Sequence, residues 1–249
     1  MATFKKHLAV FESASDYEAF KSSEGFVTPN VSLCKDEYKA HYNAKEEDVY
    51  DPYNGHAYVD LGLPSGTLWA SAPLTTVEGE PLYFHFGDTE DWTATQVQNG
   101  EKSFASDGSD YKWMENGSYT KYNETDGKVV LDLEDDAVHV HMGGDWHMPT
   151  TEQFEELINN TTVKYTTNSI GFPCHIFTSQ LNGNSITIGW YGMALDNILA
   201  NMSQGYHIMS NCILDYGYNG IFTLTNYPST PSMSLNKREH GFMVIGVIG

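Results

Sequence analysis

The sequence has few of the features that announce an activity. Three cysteines, Cys34, Cys174 and Cys212, are too few and too scattered for a disulfide framework or a cysteine zinc site, since no Cys-x-x-Cys spacing occurs. Basic residues are scarce: 13 Lys and Arg stand against 33 Asp and Glu, for a formal net charge of -20. A surface of that sign repels phosphate backbones and anionic bilayers, which argues against nucleic-acid binding and membrane association. Long apolar runs are missing too. Residues 8–11 are too short for a signal-peptide core, and residues 242–248 are too short to cross a bilayer. The expectation is a protein made in the cytoplasm, with no export signal and no membrane insertion. No Gly-x-Ser-x-Gly elbow, phosphate-cradling glycine loop or His-Glu-x-x-His is present. Carboxylate pairs are plentiful, but among 33 acids they arise by chance, so the chain is read as a non-enzyme with no catalytic residues.

What is present is a globular composition, 40% hydrophobic and 18% charged over 249 residues, enough for one medium domain with a small appendage. Residues 1–43 read as that appendage. Ser15 and Glu18 have capping-box spacing, with Tyr17 and Phe20 on one face of a short helix, but the segment is too small for much core. It is expected to attach to a partner or to a symmetry mate. Residues 44–56, charged and containing Pro and Gly, read as a linker. Residues 57–249 read as a single domain.

Within that domain, strands are expected over residues 57–61, 67–70 (ending in a core Trp69) and 82–86. Residues 87–128 read as a long packed loop anchored by Trp92, Tyr111, Trp113, Tyr119 and Tyr122. One helix is clear. Thr150 is its N-cap with Gln153 as reciprocal partner, and Phe154, Leu157 and Ile158 form its buried face. Further strands are expected at 174–178, 185–188, 205–209, 220–224 and 241–248, punctuated by turn residues. Strands, one helix and long loops make an α+β pattern.

Several motifs recur in an order that resembles the Fibrobacter succinogenes major-paralogue domain, abundant in Bacteroidetes and their phages. They are Tyr58-Val-Asp-Leu-Gly-Leu-Pro-Ser-Gly-Thr-Leu-Trp69, Tyr83-Phe-His-Phe-Gly-Asp88, Tyr111-Lys-Trp113, Thr120-Lys-Tyr122 and Leu133-Glu-Asp-Asp-Ala137. Gly143-Gly-Asp-Trp-His-Met-Pro-Thr-Thr-Glu-Gln-Phe-Glu-Glu-Leu157 follows, and Arg238-Glu-His-Gly-Phe-Met-Val244 closes the series. The resemblance implies a C-type-lectin-like fold in which the first strand, 57–61, pairs with the last, 242–248. Residues 1–43 resemble the N-terminal segment of fibre or decoration proteins of gut Bacteroidales phages of the crAss-like group. The chain departs from the family at His147, where Arg is usual, at the Val-Ile-Gly-Val ending, and at Trp190-Tyr-Gly-Met, so ligand contacts there do not carry over.

Two clusters invite a metal reading. His139 and His141, on a stretch read as a strand over 138–142, would share one face near Asp145 and His147, as zinc or iron ligands do; the plain alternative is a polar face before a turn. Asp132, Glu134, Asp135 and Asp136 form an acidic run that supplies part of a calcium shell, or else a solvated loop with Asp135 as a helix cap. The sugar-binding signatures of calcium-dependent lectins are absent. The reading assigns no metal site, and calcium enters only as a candidate structural ion.

Recognition is placed instead at 190–230. Trp190, Tyr191, Asn197, Asn201, Tyr206, Asn211, Tyr216, Tyr218, Asn219 and Tyr227 are the candidate ligand-binding residues, because Tyr and Asn give contact area and adaptable hydrogen bonds at low entropic cost. The same residues also suit a packed interior. The expectation is a phage virion protein (head fibre, decoration protein or tail-associated adhesin). It would hold capsid or tail proteins through residues 1–43 as a homo-oligomer, such as a trimer, and bind a host surface glycan or protein. The alternatives are a bacterial surface or fimbrial adhesin and a polysaccharide-active enzyme.

Overall fold

A computed structural model describes residues 53–249 other than 78, 168–172, 190–192, 201–206, 214–219 and 226–230. The attachment segment, its helix and most of the linker lie outside the described residues. The described unit begins at Tyr53. Tyr53 and His56, at the end of the stretch read as linker, bridge to each other. The Tyr53 hydroxyl donates to Asp145 Oδ2 at 2.7 Å, and the buried Trp146 donates its indole N–H to the Tyr53 carbonyl at 3.1 Å.

The entry and exit of this unit meet in one sheet. β1 (Tyr58–Asp60) pairs antiparallel with β2 (Leu68–Ala70), whose other edge takes β15 (Val247–Ile248). The expected direct pairing of first and last strands is therefore corrected: β2 lies between them. The turn decides this. Gly66, at φ +78, donates its N–H to the Leu63 carbonyl and folds β2 straight back onto β1, claiming that edge. Trp69 at the sheet centre is fully buried, 5.8 Å from the Phe154 ring.

Between these strands lie β3 (Leu82–Tyr83) paired with β4 (Trp92–Thr93), α1 (Ala94–Gln98), and the hairpin of β5 (Met114–Glu115) and β6 (Ser118–Tyr119). The segment read as one long loop thus contains a capped helix turn, with Thr93 and Gln96 forming a capping box. A 3-10 turn (Leu133–Asp135) leads into α2 (Ala137–Met142). α2 corrects the strand expected at 138–142. Val138 and Val140 alternate like a strand, but Asp136 caps the His139 N–H and Gly143, at φ +68, ends the helix; the start and stop signals outweigh the β-branched pair.

α3 (Thr151–Asn160) forms as expected. Thr150 Oγ1 accepts from the Gln153 N–H at 3.2 Å, and Gln153 Oε1 accepts from the Thr150 N–H at 2.9 Å. Phe154 and Leu157 are fully buried, each contributing about 2–3 kcal/mol of burial. At its C-terminal end, the Asn160 amide donates to the Glu156 carbonyl and the Thr161 hydroxyl to that of Leu157.

The remainder is small antiparallel sheets. β7 (Thr161–Thr167), β8 (Pro173–Ser179) and β9 (Ser185–Gly189) form one, in that order. β10 (Met193–Leu195) and β11 (Ile198–Ala200) form a hairpin turning at Asp196 and Asn197, both at positive φ. β12 (His207–Ile213), β13 (Gly220–Thr225) and β14 (Ser232–Lys237) form a third sheet. The closing chain threads the core: Gly241 bridges Ala194, Phe242 bridges Phe84, Met243 bridges Ile208, and Val247 bridges His147. Its glycines are close-packing positions. A Cβ on Gly246 would lie 2.8 Å from the Trp146 ring, and one on Gly241 would lie 2.7 Å from Phe104. The result is a mixed α+β domain, mostly strands, with one helix longer than two turns among the described residues. None of its described helices is long and apolar enough to cross a membrane.

Candidate functional site

Charge is distributed unevenly over this domain. Residues 53–249 carry seven Lys and Arg against 23 Asp and Glu. Six of the seven, all but Lys164, lie in residues 102–128 and 237–238, and all six are engaged internally. Lys102 faces Asp110 at 3.5 Å, Lys112 faces Asp88 at 3.4 Å and Asp135 at 3.6 Å, and Lys128 holds Asp132 at 2.6 Å. The ammonium groups of Lys112 and Lys121 lie 4.7 and 5.0 Å from the Trp113 ring centroid, and the Trp113 indole N–H donates to the Gly87 carbonyl.

The buried Arg238 stacks its guanidinium 3.3 Å from the Tyr119 ring and donates to the Tyr122 carbonyl at 2.8 Å. Tyr119 donates to the buried Glu239, which also faces Lys237 at 3.2 Å. Burial, reinforced by Glu239, pushes the Tyr119 phenol up to about 12. These contacts tie a stretch poor in regular structure to the closing chain, so the aromatic anchors expected for a packed loop are present along with ionic ones.

The acidic run does not act as one ligand set. Among the described residues, Asp132, Glu134 and Asp135 are the group close enough to share a cation, and the Lys121 ammonium already stands among them. It lies 2.5 Å from Asp135, 3.1 Å from Asp132 and 3.6 Å from Glu134. Burial works against the charge on Lys121, but hydrogen bonds to Asp135 and Asp132 outweigh it and hold the group above its ordinary value. Asp135 also accepts the Tyr122 hydroxyl at 2.6 Å. Asp136 turns away, and it, not Asp135, is the helix cap; its carboxylate accepts the His139 and Met148 N–H groups. A lysine therefore supplies the positive charge that a calcium ion would bring.

The histidines diverge as well. On a helix, residues two apart face different directions. His139 Nδ1 lies 3.1 Å from the Trp146 carbonyl, His141 Nε2 lies 3.0 Å from that of Thr89, and His147 Nδ1 lies 3.0 Å from that of Met148.

Other histidines are buried in apolar surroundings. His85 sits between Phe104 at 4.5 Å and Tyr111 at 5.2 Å, with no hydrogen-bond partner on either ring nitrogen. Burial, aided by the Lys102 charge, pushes it down to about 4 against the opposing pull of Asp110. His207, 6.4 Å from Phe242, is likewise pushed to about 4 by burial, then by His240.

Of the ten residues proposed for recognition, Trp190, Tyr191, Asn201, Tyr206, Tyr216, Tyr218, Asn219 and Tyr227 lie outside the described residues. Asn197 is exposed at the β10–β11 turn. Asn211 is buried inside β12, with its backbone N–H on the Pro149 carbonyl and its own carbonyl accepting from Leu131. Register divides the rest by the strand ends that flank them. His207 pairs with Thr225 and Thr225 with Ser232, so the strand ends bounding 201–206 and 226–230 are side by side. Ile213 and Gly220, which bound 214–219, lie at the opposite end of the sheet.

A signal that reading by motif passes over is the absence of charge across this half. Residues 165–236 contain no Lys or Arg and only two acids, Asp196 and Asp215. They build the last three residues of β7, all of β8 to β13, and β14 up to Asn236. The β7–β8–β9 sheet buries one face through Phe177, Ile186 and Ile188. Its register places Thr162, Thr178 and Ser185 in one row of the opposite face, and Lys164, Ile176 and Thr187 in the next. These two rows are open: Thr162, Lys164, Ser185 and Thr187 are exposed, and Ile176 and Thr178 partly so, whereas Cys174 in the row beyond them is buried.

The chain matches no family model, no curated protein and no solved structure.

Proposed function

We propose that this chain is a surface-displayed binding protein. On this reading it is a C-type-lectin-like domain carried on a phage particle by its N-terminal segment, as a head fibre, decoration protein or tail-associated adhesin, and it binds a host surface glycan or protein. The observation that carries the reading is the division of side-chain chemistry. The described lysines and the arginine of the loop half are spent on internal cross-links, while the strand half, almost without charge, is rich in hydroxyl, amide and aromatic residues. Such a composition suits recognition by hydrogen bonding and stacking, and among its described residues no cluster of three metal-ligating side chains occurs. The sharing of one sheet by β1 and β15 supports the lectin-like assignment, and the ordered motifs around Trp69, Trp146 and Arg238 support the family resemblance. Homo-oligomerisation and the capsid or tail partner rest on residues 1–43.

The test has two arms. Gold-labelled antibody to the chain should decorate intact particles, and purified full-length chain should bind host cells at saturable sites. Particles without label, together with no saturable binding, would refute the reading.

A further inference from the structure

We infer that the open outer face of the β7–β8–β9 sheet is a contact surface for a neutral, hydroxyl-rich glycan. This deepens the binding function proposed above and rests on it. An anionic ligand needs several cations to offset its desolvation, and this face offers only Lys164, in a domain with 23 acids. A cationic ligand needs carboxylates, and the two rows of this face hold none.

A protein partner is disfavoured by composition. Interfaces concentrate their energy in buried aromatic or arginine anchors, whereas Ile176 is the one apolar side chain in these rows. What the rows do offer is four hydroxyls, on Thr162, Thr178, Ser185 and Thr187, held at strand spacing on a sheet that buries Phe177, Ile186 and Ile188 on its other face; the Thr162 hydroxyl also reaches the Thr178 carbonyl at 3.4 Å. Such an array donates to and accepts from sugar hydroxyls without burying an unpaired charge.

The experiment uses full-length protein on an array of neutral and anionic glycans, and on host cells treated with periodate or with protease. Binding is expected to neutral glycans, to be lost on periodate treatment, and to change less than about twofold between about 0.05 and about 0.5 M NaCl. Thr162→Val together with Thr187→Val keeps β-branched side chains in the strands and removes two hydroxyls. It should weaken binding about tenfold with an unchanged thermal midpoint, while Lys164→Met should change it less than about twofold.

Binding confined to anionic glycans, or collapse in high salt or in Lys164→Met, would overturn the inference and leave the binding function standing. The same holds for cell binding that resists periodate but not protease, and for a Thr162/Thr187 variant that binds like the parent. Absence of binding to cells and array alike would overturn the proposed function and this inference with it.

Discussion

Acid should destabilise this domain well before its carboxylates titrate, and His85 offers the cleanest way to see it. Its folded value of about 4 lies below the 6.5 of an unperturbed histidine. The unfolded chain therefore binds more protons between those values, and stability falls as pH drops. The contribution is fully present above about pH 6.5 and is lost as pH falls toward about 4. A gap of about 2.5 pKa units limits the loss to about 3 kcal/mol for one histidine, and at about pH 5 it amounts to about 2 kcal/mol. His207, with the same folded value, adds a similar amount, and His175 and His240, also lowered by burial, add in the same sense. Asp136 works in the opposite sense, because burial raises its carboxyl.

Urea unfolding at about pH 7.5 and about pH 5 measures the sum, and the variant His85→Phe isolates one part of it. Neither ring nitrogen of His85 has a short hydrogen bond, and its neighbours are Phe104 and Tyr111, so a phenyl ring forfeits chiefly the contact of Nε2 with Asp110 Oδ1 at 3.9 Å and that with the Glu239 backbone. At about pH 7.5 the variant should lie within about 1.5 kcal/mol of the parent. Between the two pH values it should lose about 2 kcal/mol less than the parent. Equal losses in parent and variant would show that His85 is either charged in the folded state or hydrated, and the reasoning would fail.

Other perturbations test the remaining parts of the fold. Thr150→Ala removes the cap of α3 and should cost about 1 kcal/mol in urea unfolding, with little change in slope. Lys121→Met leaves the buried Asp135 with Tyr122 and Lys112 alone and should cost about 2–3 kcal/mol, whereas EDTA should leave the thermal midpoint of the parent unmoved. Gly246→Ala drives a methyl group against Trp146 and Met142 and should cost about 1–3 kcal/mol. Cys174 and Cys212 are both buried, so a thiol reagent should label the described domain at the rate of its unfolding and not faster.

The elements legible in the sequence were those with a local signature. Thr150, Gln153 and the Phe154–Leu157 spacing fixed α3 because caps and helical period act within one turn. Trp69 announced its own burial by size. The failures have a common cause in long-range competition. Whether residues 57–61 pair with 67–70 or with the chain's end is settled by the Gly66 turn, which acts before the distant strand can compete. The Val138–Val140 alternation mimics a strand until Asp136 and Gly143 are weighed as caps. β10, β11 and β14 went unread because Met193–Leu195, Ile198–Ala200 and Ser232–Lys237 are short or polar, and their partners, not their own pattern, make them strands. In the acidic run, spacing showed four carboxylates, but only the fold shows that Lys121 arrives among three of them while Asp136 serves the backbone.

Scarcity of cations explains why the two halves of the domain are built so differently. A loop of some forty residues between α1 and α2 has few ladder hydrogen bonds, so its order must come from side chains. With seven basic residues available in the domain, two of them serve more than one acid, Lys121 three and Lys112 two, while Arg238 closes the loop through stacking and carbonyls. The strand half draws its order mainly from ladder hydrogen bonds within its sheets, with some help from side chains: the Asn182 amide donates to the Asp60 carbonyl and the Thr162 hydroxyl to that of Thr178. On the proposed reading, recognition falls to the sheet face instead of to the long loop. This predicts that ion-pair variants in residues 102–135 will lower stability without altering ligand preference, whereas hydroxyl variants on β7 and β9 will alter preference without lowering stability. A lysine variant in the loop that changed which glycan is bound, at unchanged stability, would break this division.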